Sequence, residues 1–398
     1  MAQYGSPGLA SERMVALEGL RGVAALAVVL SHALFAFEPG LFKTVFPQMQ
    51  ATWPEMSWPL LPFQWPPLNA LVNGSFSVCI FFVLSGLVLT RLYSQTGNPQ
   101  VLISRAIRRV PRLAIPIAAS IVFAYAIFAC GLMRNLQVAP LTQSSWLAGY
   151  YPDSLGLGTA LREASYGALL SGSALNSPLW TMPVELIGSY LAFAFAMKER
   201  WIGWPLFAIG SFIAIVLTGK ANLPFYLCFA AGTQLGRLAP AAVPRLVKFA
   251  ALPVGLYLGG FSDTAAYQLI IDALGGHVVP LQRSVHCLGA VCVVVAAIST
   301  VWLARCLSSR IPALLGRLSF AVYLLHFPIT CSLGSAVYLT AIRWGHGAAS
   351  TLAIATVMVA TVAAAYPFHR YIDTGAMKFS RQVELALRRL IEPRRQSA

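Results

Sequence analysis

The sequence predicts an all-α fold: a polytopic membrane helix bundle of about ten transmembrane helices with both termini cytoplasmic. Three observations carry this. Of 398 residues, 58% are hydrophobic and only 10% are charged, with mean hydropathy +0.70, where a soluble chain would carry about 25% charged residues. The apolar residues gather in runs of membrane-crossing length. The basic residues are shared unequally between alternate connections.

The runs read as spans at roughly 15–37, 69–91, 113–133, 179–197, 202–219, 222–238, 248–261, 285–304, 313–340 and 348–370. With the N-terminus inside, 22 of the 28 Lys and Arg residues fall in the cytoplasm, among them Arg91, Lys198, Arg237, Arg305 and the tail from Arg370 onward. The outer side keeps six: Lys43, Arg134, Arg162, Lys220, Arg283 and Arg343. Such a split follows the positive-inside rule. Charges spread over separate short loops make no nucleic-acid interface. The chain divides into a tail (1–14), a membrane domain (15–373) and a basic tail (374–398). Residues Met1 to Arg13 are polar and do not read as a cleavable leader.

The first span holds Arg21 and His32, eleven residues apart. At about 100° per residue they share one helix face, about 16 Å apart along the axis. Ionisable groups inside a bilayer are expensive and mark functional sites. His32 reads as a base, or else as a hydrogen-bonded packing residue. Arg21 reads as an anion contact, or as an ion pair with Glu18 at i, i+3. In the second span, Ser85-Gly86 permits close helix approach, with Ser85 bonding a carbonyl of a neighbouring helix. Arg105, Arg108, Arg109 and Arg112 recur at helical spacing and make one basic stripe if helical; the plainer reading is topology and contact with anionic lipid.

Glu185 enters the fourth span from outside, at a depth similar to His32. It reads as a carboxylate orienting the imidazole, or as a structural partner of Trp180. In the ninth span His326 lies one turn after Tyr323, and reads as shaping a tunnel, shuttling protons or packing. The pair His369 and Asp373, at the cytoplasmic end of the last span, reads as interface structure, with Asp373 pairing an Arg. The tail from Lys378 to Arg395 reads as a cationic helix on the inner surface. Three outer segments, Glu38 to Leu68, Asn135 to Ser177 and Ser262 to Ser284 with His277, are rich in aromatic and polar residues. They suit an interfacial belt, the plainer role for most of their Trp residues, or a lid over a sugar-like ligand. The seven cysteines show no CxxC and no metal-ligand spacing, and read as small core residues without a disulfide framework or zinc.

Six motifs in order carry a family resemblance. Val15 to His32 resembles the opening helix, L-D-G-L-R-G-I-A-A, of the acyltransferase type 3 family of membrane O-acyltransferases. Phe81 to Gly86 is similar to its F-F-x-L-S-G-F, and Arg105 to Arg112 to its arginine-rich cytoplasmic loop. Ser177 to Glu185 resembles P-L-W-S-L-x-x-E, Gly316 to His326 resembles G-x-x-S-Y-x-x-Y-L-x-H, and Tyr366 to Asp373 resembles the closing stretch. Glu18, Ser77, Leu87 and Phe320 depart from the usual Asp, Gly, Phe and Tyr, and the closing Pro is missing.

The resemblance implies transfer of an acyl group, acetyl first, from acyl-CoA to a hydroxyl of a carbohydrate or other small acceptor. His32 would be the general base and Glu185 its partner. Arg21, Arg105, Arg108, Arg109 and Arg112 would contact the donor, since guanidinium groups bind phosphates bidentately. Glu18, Ser85, Gly86, Trp180, Tyr323 and His326 would support the site. Acyl-CoA is the co-substrate, with no permanently bound cofactor and no metal. A proton-coupled transporter using His32, Glu185 and Arg21 as a relay is the rival, though no paired Gly/Pro-broken helices support it. A non-catalytic membrane scaffold is the third reading. A bacterial inner membrane and a fungal membrane both suit the pattern.

Overall fold

A computed structural model describes residues 7–42, 62–152, 155–197, 200–273, 275 and 278–391. Lys43, Lys198, His277, Arg394, Arg395 and most of the first outer segment lie outside them. The described residues are predominantly helical, with no strand among them. The chain is a polytopic helical membrane protein.

Helices stand at all ten expected segments: α1 (Pro7–Phe37), α2 (Gly74–Thr96), α3 (Gln100–Ala129), α4 (Thr181–Ala196), α5 (Arg200–Thr218), α6 (Leu223–Leu235), α7 (Arg245–Gly259), α8 (Val278–Ser299), α9 (Arg310–Ile329) and α10 (His346–Phe368). Seven helices among the described residues are long and apolar enough to cross a membrane, in the regions of α1 to α4 and α8 to α10. The other three fall short of that measure: α5 is described in full only over Ile202–Thr218, and the 13 residues of α6 rise only about 20 Å.

The close packing of α1 on α9 positions the site. A Cβ on Gly316 would lie 2.1 Å from the Glu18 carbonyl, and one on Gly22 2.5 Å from the Gly316 nitrogen. Only small residues let two backbones meet this closely. Gly86 does the same between α2 and α6, where a Cβ would lie 2.2 Å from the Phe229 carbonyl. Asn73 caps α2 by accepting from the Phe76 amide at 3.0 Å.

The start of α3 corrects the sequence reading. The arginine-rich segment is helix from Gln100 onward, not a loop before residue 113. Leu102, Leu113 and Ile117 bury one side of this helix, and Arg105, Arg108 and Arg109 find carbonyl and carboxylate partners on neighbouring helices. After α10 a π turn (His369–Asp373) leads into α11 (Thr374–Ile391). This tail helix docks on α3 through Arg108 and Glu384 at 3.2 Å and Arg388 and Gln100 at 2.9 Å. Two apolar cores flank α1: one joins it to α3, α9, α10 and the segment 138–179, the other to α2, α4, α6 and α8.

Candidate active site

Two cavities lie toward opposite ends of α1. One, of about 410 Å³, is lined by Arg21, Arg109, Arg112 and Arg317, with Glu18, Glu185 and Asp373. The other, of about 690 Å³, is lined by His32 with Ser31, Asn73, Ser75, Trp180 and an aromatic wall that includes Phe35, Phe63 and Phe225. Val78 and Tyr323 line both. The Tyr323 hydroxyl is fixed at this boundary, 2.8 Å from the Pro178 carbonyl and 2.8 Å from Thr181 Oγ1.

His32 is joined to His326. Its Nδ1 lies 2.8 Å from His326 Nε2, and the two rings are nearly coplanar. The hydrogen-bond network assigns the tautomers. His326 Nδ1 lies 2.8 Å from the Tyr323 carbonyl and 3.3 Å from that of Val322. A carbonyl only accepts, so Nδ1 carries the proton and neutral His326 accepts through Nε2. His32 therefore donates from Nδ1 and keeps a lone pair on Nε2. Trp146, from the short helix Ser145–Ala148, stacks on the His32 ring at 5.4 Å. Ser144 ties this segment to the end of α1 by donating to the Phe35 carbonyl at 2.6 Å.

Glu185 does not meet His32. It belongs to the arginine cavity, where its Oε1 accepts from Arg109 and, at 2.8 Å, from Ser85 Oγ. Both the expected His32–Glu185 pairing and a contiguous His32–Glu185–Arg21 relay are therefore corrected. Ser85 bonds a carboxylate rather than the expected carbonyl. Trp180 packs on Phe225 at 5.7 Å rather than on Glu185. Arg21 donates to Ser319 Oγ at 3.2 Å instead of pairing with Glu18.

The arginine stripe divides. Arg109 and Arg112 line the cavity. Arg105 turns to α2 and donates to the Val88 and Leu89 carbonyls at 2.6 and 2.5 Å. Arg108 pairs with Glu384, outside the cavity. Spacing of i, i+3, i+4 and i+7 keeps all four within one stripe about 100° wide, and the neighbours met by successive turns of α3 divide them. Four guanidinium groups against three carboxylates leave the cavity suited to an anion. Arg109 Nε is buried without a partner, in addition to its bond to Glu185.

The sequence reading did not assign Trp146, Arg317, His369 and Asp373 to the site. Arg317 lies within the motif from Gly316 to His326, a signal that was present. His369 and Asp373 line the arginine cavity; they pair with each other at 2.8 Å, rather than Asp373 with an Arg. The cysteines also depart from expectation: Cys130 and Cys306 are exposed, while Cys79, Cys228 and Cys287 converge.

Membrane-crossing helices thus hold an arginine-lined cavity back to back with a histidine-lined one. The family model of the type 3 acyltransferase domain matches residues 14–370, and the chain belongs to that family. It is a membrane acyltransferase. No curated protein and no solved structure matches the chain.

Proposed function

We propose that this acyltransferase moves an acyl group, acetyl first, from acyl-CoA to a hydroxyl of a carbohydrate-like or other small acceptor. The observation that carries the reading is the pair of cavities sharing Tyr323 and Val78. Acyl-CoA phosphates would lie against Arg21, Arg109, Arg112 and Arg317, with the thioester at the Tyr323 boundary. The acceptor would occupy the His32 cavity, whose polar lining, Ser31, Ser75 and Asp263 among it, and aromatic wall suit a polyhydroxyl ligand. On the orientation read from the charges, the arginine cavity faces the cytoplasm, where acyl-CoA is.

In the transfer, His32 Nε2 takes the proton as the acceptor oxygen attacks the thioester carbonyl carbon. The carbon–sulfur bond breaks, CoA leaves as thiolate, and the imidazolium returns the proton to it. General-base assistance of this kind is worth about 10²- to 10⁴-fold. His326 holds the base in the productive tautomer. Arg21 and Glu18, with Ser85 and Gly86, shape the donor side.

The test is release of free CoA thiol from acetyl-CoA by purified protein in lipid, with a crude extract as a pool of acceptors. Release by the wild type that is lost in His32→Ala supports the reading. Equal release from both removes His32 as the base. No release with any acyl-CoA, from folded protein, overturns the assignment of the donor.

A further inference from the structure

We propose that Cys79, Cys228 and Cys287 form a binding site for a soft, thiophilic monovalent cation of the Cu(I) class. The three residues come from α2, α6 and α8, far apart in sequence, and all are buried. Their sulfurs lie within 4.8 Å of one another, with Cys79 and Cys287 at 3.6 Å. A trigonal site with metal–sulfur distances of about 2.3 Å needs its sulfurs about 4 Å apart, which this triangle spans with small side-chain rotations.

The donor set selects the ion. Three sulfurs, joined by no His, Asp or Glu among the described residues, favour a soft metal over magnesium, calcium or manganese. Structural zinc closes with four protein ligands, and the cluster offers three. The route in is short, because Val78, Pro224 and Arg283 line the His32 cavity and Cys287 Sγ donates to the Pro224 carbonyl at 3.2 Å. A bound ion would tie together the three helices that carry this wall. The site stands apart from the transfer chemistry and does not depend on it.

The experiment presents Cu(I), held anaerobically by a colorimetric chelator, to the full chain in lipid. The expected result is withdrawal of one equivalent, X-ray absorption with sulfur neighbours at about 2.3 Å, and a raised unfolding temperature. Cys79→Ser, Cys228→Ser and Cys287→Ser should each weaken binding at least about tenfold, with Cys292→Ser and Cys331→Ser as unaffected controls. The absorption spectrum of the wild type needs no variant, so poor folding of a mutant leaves the proposal testable. No withdrawal by the wild type, nitrogen or oxygen neighbours in the spectrum, retention by folded Cys79→Ser/Cys287→Ser, or tighter binding of Zn(II) would each overturn it.

Discussion

His32 and His326 face each other across α1 and α9 with their ring nitrogens 2.8 Å apart, and the backbone carbonyl of Tyr323 decides which of them keeps a free lone pair. His326→Ala should therefore lower kcat while leaving KM for acyl-CoA nearly unchanged. The loss should be about tenfold or more, yet smaller than that of His32→Ala, for which about 10²- to 10⁴-fold is expected. Steady-state kinetics of the two variants separates base from positioning residue. A larger loss in His326→Ala would reverse the two roles.

Glu185 should act through stability. Its carboxylate is the part-buried partner of Arg109, and removing one member of such a pair costs up to about 3 kcal/mol. Glu185→Ala is expected to unfold at much lower temperature, and the double variant Glu185→Ala/Arg109→Ala to recover part of the loss. A Glu185→Ala protein of normal stability with collapsed kcat would return Glu185 to the chemistry.

The arginines should sort by where they point. Loss of a hydrogen bond to a charged group costs about 1.5–3 kcal/mol, so Arg112→Ala should raise KM for acyl-CoA by about 10- to 100-fold. Arg105→Ala, which frees two α2 carbonyls, should reduce stability with KM near that of the wild type. Isothermal binding of CoA to both variants checks this.

Gly316→Ala places a methyl group where a Cβ would lie 2.1 Å from the Glu18 carbonyl. Forcing α1 from α9 should cost about 1–3 kcal/mol and lengthen the His32–His326 contact. Thermal unfolding and activity are expected to fall together.

Trp146→Ala removes the ring stacked on His32. Such aromatic contacts are worth about 0.5–1.5 kcal/mol, so kcat should fall by a few-fold to about tenfold, with Trp146→Phe recovering most of it. No change in either variant would mark the tryptophan as packing alone.

The readable parts of the site lie within single helices. Arg21 and His32 share a face because α1 is continuous, and Tyr323 and His326 stand one turn apart on α9; helical period alone gives both. What the sequence withheld was partnership across helices. Equal depth in the bilayer suggested His32 and Glu185, but depth fixes one coordinate of three, and Glu185 turns to Arg109 and Ser85. Trp146 was invisible for a different reason. It sits on a single helical turn in an outer segment with no period to read, placed by bonds from Ser144 to the end of α1 and from Asn135 to the Leu147 carbonyl. The arginine stripe was legible as a stripe, but the division of labour along it depends on which neighbours each turn meets.

Tyr323 and Val78 stand between two spaces that lie toward opposite ends of the same helix. A membrane protein hollowed from both ends has to act as its own electrical insulator where the hollows approach each other. The tyrosine hydroxyl is clamped to Pro178 and Thr181, which holds the ring in place between the two spaces. Trimming this ring would turn a catalyst into a leak, a failure visible as lost membrane potential in cells before any assay of the product.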